Sequence, residues 1–400
     1  MPKLSITDLS LKDKKVLMRV DFNVPMDAEG IITDDTRIRA TLPSIKYVLD
    51  HGGSLILMSH LGRPDGKYYS KLSLRPCANR LSQLLGRNVI FAPDCVRADI
   101  GEVVKTFRPG HIMLLENLRF HRAEEFPDED KTFAEKLSKY GDVYVNDAFG
   151  TAHRSHSSTT SVAKYFPGKA AAGFLLEKEI KFLGDTLKKP KRPFCAIVGG
   201  SKISSKCGVI EALLKKADIV MIGGGMAYTF FKAQGFPIGN SIHEDEFIEI
   251  AKELIQSSGN GRGRLMLPSD IVVAKEIKVG APMQVVKAGG AIPDGFEGVD
   301  IGPETVKAFS DALRSAATVF WNGPLGVFEI PAFAKGTNEI AHMLAKLSAT
   351  TIVGGGDLLA AVQAAGIADK LTHLSTGGGA TLEYIEYGTL PGIEALSDKS

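Results

Sequence analysis

Short apolar runs alternate with segments that repeat apolar residues at three- and four-residue spacing along the whole chain. The runs predict buried strands at 16–20, 54–59, 88–91, 111–115, 142–145, 194–198, 219–222, 283–286, 318–321, 351–353 and 371–375. The spaced segments predict helices at 36–50, 74–85, 245–256 and 303–316. Such alternation is typical of α/β proteins, in which helices cover both faces of a parallel sheet.

We therefore predict two Rossmann-like, doubly wound parallel-sheet domains joined by a helical hinge. A helical pattern over 175–187 ends in a basic run that contains Pro190 and Pro193, and prolines stop a helix. The predicted boundaries are 1–174 for the first domain, 175–190 for the hinge, 191–388 for the second domain and 389–400 for a tail. The pattern does not decide where the tail packs.

Polar residues follow the predicted strands. Asp21 and Asn23 come directly after the run 16–20, and His60 and Arg63 come after the run 54–59. Ligands of open parallel sheets bind beyond the carboxyl ends of the strands. These residues are therefore candidates for a binding site.

Arginine and glycine are unevenly distributed. Twelve of the sixteen arginines lie between Arg19 and Arg154, whereas 29 of the 42 glycines follow residue 190. Arginine binds carboxylates and phosphates with a permanent charge, and glycine lets backbone N–H groups approach a ligand closely. The first half is thus expected to hold an anion with side chains, and the second half to hold phosphates with backbone.

Charge and cysteine content exclude several classes of protein. The net charge of +2 argues against a nucleic-acid binder, and the four cysteines form no C-x-x-C pair that would indicate a zinc site. The first fifteen residues lack the apolar core of a signal peptide, and the most apolar stretch, 217–231, is too short to span a bilayer. From these features we expect a cytoplasmic protein with neither a nucleic-acid nor a membrane partner. We also expect a monomer, although charge and cysteine content do not bear on the oligomeric state.

Glycine-rich loops mark the second half. A Walker A loop is absent, and the string at 259–263 predicts only a flexible loop. Gly199 and Gly200 precede Lys202 and Lys206 after a predicted strand, a geometry that suits an anion. Three glycine triplets follow further strands, at 223–225, 354–356 and 377–379. Three triplets at strand-to-helix junctions indicate a polyphosphate site, although each alone also fits an ordinary turn.

Individual side chains leave alternatives open. Asp357 either caps the helix after the second triplet or holds Mg²⁺ on nucleotide phosphates. The histidines His60, His153 and His156 fit acid–base groups or positive donors to an anion. The candidate anion ligands among the arginines are Arg37, Arg63, Arg119, Arg122 and Arg154.

Seven further strings occur in one order along the chain after the segment 17–25, LMRVDFNVP. They are HLGRP at 60–64, ENLRF at 116–120, GTAHR at 150–154, GGGMA at 223–227, WNGP at 321–324, GGGD at 354–357 and STGGG at 375–379. Together they resemble the motifs of the phosphoglycerate kinase family. The resemblance implies reversible phosphoryl transfer between 1,3-bisphosphoglycerate and ADP, giving 3-phosphoglycerate and ATP, with the acid on the first lobe and Mg-nucleotide on the second.

The resemblance also implies roles for single residues. The substrate would be bound by Asp21, Asn23, Arg37, His60, Arg63, Arg119 and Arg154. The nucleotide would be bound by Lys206, Gly223, Gly224, Asn322, Glu329, Gly354, Gly355, Gly356 and Asp357, with Mg²⁺ on Asp357. The expected catalytic positions are Arg37, Lys202, Gly356 and Gly379. The family's tail returns to the first lobe.

The reaction chemistry agrees with this residue set. Both nucleophiles, a carboxylate and ADP, are already anionic, so no general base is required. Positioning and charge neutralisation remain, and cations and helix N-termini supply them. Because donor and acceptor lie on different lobes, the lobes are expected to close on each other.

Leu358 departs from the family pattern, which usually has Ser or Thr after the aspartate. Its side chain faces either the nucleotide phosphates or the helix–sheet core, and the sequence leaves both open. A non-catalytic nucleotide-sensing protein on the same fold is the alternative function. Loss of Lys202, Arg63 or Asp357 would favour it, and all three are present.

Overall fold

The computed structural model describes residues 2–258 and 263–399, so most of the loop predicted at 259–263 lies outside the described residues. The chain forms two compact units. Unit 1 comprises Met1–Lys181 and Thr389–Ser400, and unit 2 comprises Phe182–Gly388. The division falls within the π-helix Ile180–Thr186, which continues the α-helix Phe174–Glu179. The hinge role of this segment stays a prediction.

Unit 1 contains a six-stranded, fully parallel sheet of order β3-β4-β2-β1-β5-β6. Its strands are β1 Lys15–Val20, β2 Ser54–Met58, β3 Ile90–Phe91, β4 Ile112–Leu114, β5 Val143–Asp147 and β6 Ala170–Ala172. Its helices are α1 Thr36–Asp50, α2 Arg75–Leu85, α3 Ala98–Lys105, α4 Arg122–Glu125, α5 Thr132–Ser138 and α6 Phe174–Glu179.

Strand β1 organises this sheet because it pairs with β2 on one side and β5 on the other. Five of its six residues are buried, as expected for a central parallel strand. The chain adds β2, β3 and β4 on one side of β1 and then β5 and β6 on the other side. Because the strand order reverses direction at β1, a crevice forms at the carboxyl end of this strand. Helix α1 has the predicted bounds, and it buries Ile38, Ile45 and Val48 against the sheet.

Unit 2 contains a second six-stranded parallel sheet, of order β15-β14-β13-β7-β8-β9. Its strands are β7 Phe194–Val198, β8 Ile219–Ile222, β9 Arg264–Met266, β13 Thr318–Asn322, β14 Thr350–Gly354 and β15 His373–Ser375. Its helices are α7 Cys207–Lys216, α8 Ala227–Ala233, α9 Ile248–Ser257, α10 Pro303–Leu313, α11 Lys335–Leu344, α12 Gly356–Ala364 and α13 Gly379–Tyr387. The prediction of two parallel-sheet α/β domains is confirmed.

One predicted strand was assigned to the wrong environment. The run at 283–286 was expected to be a buried strand of a parallel sheet, but β11 Met283–Lys287 is largely exposed and antiparallel. It forms the edge of a small sheet of order β11-β10-β12, with β10 Asp270–Ala274 and β12 Glu297–Ile301. A short apolar run predicts a strand but does not reveal which sheet it joins.

The tail belongs to unit 1. Its helix α14 Pro391–Glu394 places Gly392 against the loop after β5, where Gly392 N–H donates to Ala152 O at 2.7 Å. Asn146 Nδ2 donates to Gly392 O at 3.3 Å. A Cβ at position 392 would lie 2.9 Å from Ala152 Cα, so the contact requires glycine.

Over residues 2–258 and 263–399, no helix is both long and apolar enough to cross a membrane.

Asp147 connects β5 to the start of α6 from a fully buried position. Its Oδ1 accepts the N–H groups of Leu175 at 2.8 Å and Leu176 at 3.3 Å. Its Oδ2 is buried and has no hydrogen-bond partner among the described residues. Burial raises the pKa of Asp147 to about 6. At pH 7 the fold therefore holds an ionised carboxylate in an unfavourable buried position at the start of α6.

We predict that Asp147→Asn changes the pH dependence of stability. Because the folded-state pKa is raised from 3.8 to about 6, the contribution of Asp147 to stability falls as the pH rises through that interval. The whole loss amounts to about 3 kcal/mol, of which about 2 kcal/mol falls between pH 4.5 and pH 7, and the amide variant lacks it. Urea unfolding at pH 4.5 and pH 7 measures the difference.

The exposed Asp128→Asn is the matched control and should follow the wild type at both pH values. If the Asp147→Asn variant shows the same pH slope as wild type, Asp147 is ionised in the fold without penalty.

Candidate functional site

An ion pair and a hydrogen bond orient the side chains at the carboxyl edge of β1 in unit 1. Arg37, near the start of α1, donates to the buried Asp21 carboxylate. Asn23 Oδ1 accepts the N–H of Gly62 at 2.9 Å, which links the loop after β1 to the loop after β2. Three of the predicted substrate residues and the loop before Arg63 therefore lie at one edge of the sheet.

Arg119 reaches the same loop from the other side. It follows β4, is 4% exposed, and donates from Nη1 to Gly62 O at 2.8 Å. Its Nε lies 3.3 Å from a Glu125 carboxylate oxygen, an ion pair that is not aligned as a hydrogen bond. Desolvation lowers the pKa of Arg119, although the group stays charged. A buried cation with donor capacity left over is suited to binding an anion.

Arg19 forms the interior of this edge. Its side chain is fully buried, and it donates to Ser158 Oγ at 2.8 Å and to His60 Nδ1 at 3.1 Å. Ser158 Oγ in turn donates to the buried Glu124 carboxylate at 2.6 Å. Since arginine has no acceptor, His60 Nδ1 must accept, and its Nε2 carries the proton.

The three histidines here are neutral near pH 7 in the free protein. Burial lowers the pKa of His60 well below its usual value, and Arg19 and Arg119 add to that effect. Burial lowers the pKa of His153 to about 4 and that of His156 to about 3, with neighbouring arginines again contributing. In the free protein the lowered pKa values favour neutral imidazoles, and the roles of the three histidines towards a bound anion stay predictions.

Arg63 and Arg154 differ from the arginines above in having free side chains. Arg63 is exposed, and within the described residues its guanidinium makes no hydrogen bond or ion pair. Arg154 is half-buried and close enough to His156 and Arg119 to lower their pKa values. Arg122, by contrast, is exposed, pairs with Glu129 at 2.7 Å and lies over the Phe126 ring. The guanidinium group of Arg122 is therefore already engaged by partners within the protein.

The sequence analysis missed the Arg19, Ser158 and Glu124 network. A signal was present, because the strand neighbours of Arg19 at positions 16–18 and 20 are all apolar and buried. A charge at such a position needs a buried partner. The sequence could not show which residue supplied that partner, since Glu124 and Ser158 lie far along the chain.

Unit 2 holds Lys206 in a glycine-lined pocket. The Lys206 ammonium donates to Gly199 O and to Asn322 Oδ1, each at 2.6 Å. Asn322 ends β13, and its Nδ2 donates to Gly354 O at the end of β14 at 2.9 Å. Desolvation lowers the pKa of Lys206 to about 8, and Asp357 opposes this change. Asn322 therefore fixes both the lysine and the neighbouring glycine loop.

Close backbone approach explains one glycine of this pocket. Gly323 has φ +85°, and a Cβ there would lie 2.6 Å from Lys206 Nζ. Gly356 and Asp357 form the first turn of α12, where N–H groups lack intrahelical partners. The pocket has a volume of about 200 Å³ and is lined by Gly200, Ser201, Lys202, Ser205, Lys206, Asn322, Gly323, Pro324, Gly355, Gly356, Asp357 and Leu358. We call it the lysine pocket.

A wider cleft of about 370 Å³ adjoins the lysine pocket and shares Gly200, Ser201, Pro324 and Asp357 with it. Its apolar wall includes Tyr228, Leu325 and Val327, and the exposed Glu329 stands at its border. We call it the wide cleft. Its other lining residues are Gly224, Gly225, Ile242, Ile277, Glu297, Gly298, Val299, Gly326 and Phe328.

Three predicted site glycines line neither the lysine pocket nor the wide cleft. Gly223 directly follows β8, Gly354 ends β14, and Gly379 begins α13. Gly356 and Gly379 are both exposed at helix N-termini. Lys202 is exposed at the lysine pocket, and within the described residues its ammonium makes no hydrogen bond or ion pair, although it lies close enough to Glu244 to contribute to lowering the pKa of that carboxyl.

A larger cavity of about 650 Å³ lies elsewhere in unit 1, between the loop 30–35 and α2. It contains none of the predicted site residues. Asp35 in its wall is already paired with Arg39 and Arg80, each at 2.8 Å. We therefore place the chemistry at the sheet edges rather than in this larger space.

Comparison with known proteins supplies the family. The family model described as Phosphoglycerate kinase matches residues 6–387. The phosphoglycerate kinase of Moorella thermoacetica is 54% identical over 399 residues, which is all of both chains. The cytosolic phosphoglycerate kinase of Triticum aestivum is 50% identical and covers 98% of each chain.

The chain belongs to the phosphoglycerate kinase family.

Solved phosphoglycerate kinases share the fold. That of Coxiella burnetii has a TM-score of 0.87 at 39% identity, and that of Pyrococcus horikoshii has a TM-score of 0.84 at 32% identity. Each comparison covers 98% of both chains. The chain is thus an enzyme that transfers a phosphoryl group between 1,3-bisphosphoglycerate and ADP, as the motif resemblance predicted.

The structure also decides the orientation of Leu358. Its side chain is fully buried and packs in the apolar core of unit 2 with residues that include Val353 and Ile340. It borders the lysine pocket without exposing its side chain. The phosphate-facing alternative is therefore excluded, and the departure from the family pattern falls on packing.

We predict that Leu358→Thr lowers the free energy of unfolding by about 1–3 kcal/mol, because it buries a hydroxyl and removes packed methyl groups. Mg-ADP affinity should stay within twofold of wild type. Denaturant unfolding and calorimetric ADP titration measure the two quantities.

Gln363→Thr, at an exposed position of the same helix, controls for the lower helix propensity of threonine. Tighter ADP binding by Leu358→Thr without a loss of stability would contradict the core-facing assignment.

Proposed function

We propose that unit 1 binds the phosphoglycerate substrate at the carboxyl edge of β1 and that unit 2 binds the magnesium nucleotide in the lysine pocket and wide cleft. One observation carries the proposal. Each parallel sheet presents anion-binding groups at its carboxyl edge, as guanidinium side chains in unit 1 and as glycine loops with lysines in unit 2. Two different anions need two such edges.

The edge of unit 1 is suited to a small, multiply charged acid. Arg119 supplies a buried cation, and Arg63 and Arg154 supply guanidinium groups with unused donors. Arg37 is oriented by Asp21, and His60 donates from Nε2 without adding charge. Asn23 holds the loop that carries Arg63. Charge-assisted hydrogen bonds from such groups would bind both the phosphate and the carboxylate of 3-phosphoglycerate.

The two cavities of unit 2 suit the two ends of a nucleotide. The apolar wall of the wide cleft fits a flat base, and the exposed Glu329 carboxylate can accept hydrogen bonds from ribose hydroxyls. Phosphates would follow into the lysine pocket, towards Lys206 and the first turn of α12. Gly223, Gly224, Gly354, Gly355 and Asn322 shape this path.

Asp357 fits a magnesium ligand. Its carboxylate is exposed at the lysine pocket, and the described residues leave it without a hydrogen bond or ion pair. Mg²⁺ usually takes one or two carboxylates together with substrate phosphates, so one free aspartate is sufficient. The ion would neutralise phosphate charge there. Asp357 would hold and orient the ion, and the lysines would act on the remaining phosphate oxygens.

The transfer itself needs positioning rather than a base. An oxygen of the ADP β-phosphate attacks the acyl phosphate, and the carboxylate of 3-phosphoglycerate leaves, so no proton is moved. Lys202 and Arg37, with the N-terminal N–H groups at Gly356 and Gly379, would stabilise charge on the transferred group. Since the ligands belong to different units, we propose that the units close on each other during the reaction. Monomeric state and cytoplasmic location remain expectations.

We predict that Arg63→Ala and Arg154→Ala each weaken 3-phosphoglycerate binding by roughly 1.5–3 kcal/mol, the net value of a charge-assisted hydrogen bond. ADP binding should change little because the residues belong to unit 1. Isothermal titration with each ligand tests both statements.

Arg122→Ala is the matched control, because that arginine is already engaged by Glu129 and Phe126. It should bind both ligands like wild type. Equal losses of affinity for 3-phosphoglycerate and for ADP in the Arg63 and Arg154 variants would contradict the assignment of one ligand to each unit.

We predict that Lys202→Ala lowers kcat far more than it raises the KM of either substrate. An exposed lysine without a partner gains its interaction only when charge develops on the transferred group. Steady-state kinetics with both substrates measures the split.

Lys215→Ala, an exposed lysine of α7 paired with Glu211 at 2.7 Å, serves as the control and should keep wild-type kinetics. A change confined to the KM for ADP would instead assign Lys202 to ground-state nucleotide binding.

A further inference from the structure

Three potential metal ligands of different chemistry converge in unit 1, away from the sheet edge described above. They are the Asp94 carboxylate, the Cys95 thiol and the His121 imidazole, whose ligand atoms all lie within 4.8 Å of one another. Across residues 2–258 and 263–399, no other group of three such side chains meets this distance. Asp94 and Cys95 follow β3, and His121 directly precedes α4.

Hydrogen bonds already orient two of these groups. Asp94 Oδ1 accepts the N–H groups of Cys95 and Val96, which fixes the carboxylate, and it pairs with His121 Nε2 at 2.9 Å. The His121 ring packs on Phe133, with ring centroids 5.1 Å apart. Outer contacts of this kind hold metal ligands in place in known sites.

We propose that Asp94, Cys95 and His121 form a binding site for a zinc-class divalent cation. One sulfur, one nitrogen and one oxygen ligand suit Zn²⁺ or Co²⁺, whereas Mg²⁺ and Ca²⁺ require oxygen ligands.

The distances fit this assignment. Zinc bonds of about 2.0–2.3 Å place tetrahedral ligands roughly 3.3–3.8 Å apart, so the three atoms need shifts of no more than about 1 Å. The Asp94 and His121 side chains are 29% and 30% exposed, which lets a water molecule supply the fourth ligand. The site is therefore open to ions from solvent.

Binding exchanges a proton for the ion. The Cys95 thiol is fully buried and donates to Glu116 O at 3.0 Å. Only a thiolate and an unprotonated ring nitrogen ligate a metal. The sulfur–hydrogen bond breaks, a sulfur–metal bond forms, and the thiol proton passes to solvent. The Nε2 proton of His121, which is donated to Asp94, moves through solvent to Nδ1 so that Nε2 can bind the ion. The ion would then tie the loop after β3 to the segment that carries Arg119 and His121. We expect it to stabilise that segment.

Titration of the full-length protein with Zn²⁺ tests the proposal. Calorimetry should show saturable binding of one ion that a large excess of Mg²⁺ does not displace. Titration with Co²⁺ should give a near-ultraviolet thiolate-to-cobalt charge-transfer band. His121→Asn and Cys95→Ser should each raise the Zn²⁺ dissociation constant at least roughly tenfold, and Cys95→Ser should abolish the band.

Two variants of the same unit are the controls. Cys77→Ser removes another buried thiol, and His111→Asn removes an exposed histidine, and both should bind Zn²⁺ like wild type. Because His121 is partly exposed, its variant keeps the test valid even if Cys95→Ser does not fold. The proposal is overturned if wild type shows no saturable binding, if His121→Asn binds unchanged, or if a control variant loses binding equally.

Discussion

The guanidinium group of Arg19 is buried at the end of the central strand of unit 1, and its charge organises the polar edge around it. It donates to Ser158 and to His60, and Ser158 connects it to the buried Glu124. Burial raises the pKa of Glu124, while Arg19 opposes that rise. Burial, with a smaller contribution from Arg19, lowers the pKa values of His60 and His156, so the positive charge at this edge is carried by arginines. Anion binding at this edge, as proposed, would therefore not depend on histidine protonation.

Under the proposed function, the two units would bind negative charge with different groups. Unit 1 uses long side chains fixed by partners, such as Arg37 on Asp21 and Arg119 on the Gly62 carbonyl. Unit 2 uses backbone, and its glycines allow the loops after three strands to approach one another around Lys206. Side chains can surround a small acid from several directions, whereas an array of N–H groups follows a polyphosphate chain.

Most of the architecture could be predicted from hydrophobic spacing, because the central strands and helices such as α1 carry strong periodic patterns. The small antiparallel sheet could not, since β11 has an apolar run yet lies exposed at an edge. For the site, the order of the motifs predicted which residues take part, and their roles stay predictions. Pairings such as Lys206 with Asn322 or Arg19 with Glu124 join distant positions, and local sequence carries no record of them. The orientation of Leu358 likewise depended on the core around it.

The lysine pocket has a consequence for proton balance. Desolvation brings the pKa of Lys206 to about 8, so in mildly alkaline solution part of the free enzyme carries this lysine as an uncharged amine. If a polyphosphate binds in this pocket, as proposed, it would stabilise the ammonium form, and by thermodynamic linkage its binding would take up a proton from solvent. Nucleotide affinity would then depend on pH through one side chain, and raising the pH above about 8 would weaken binding even though the nucleotide's own charge is unchanged.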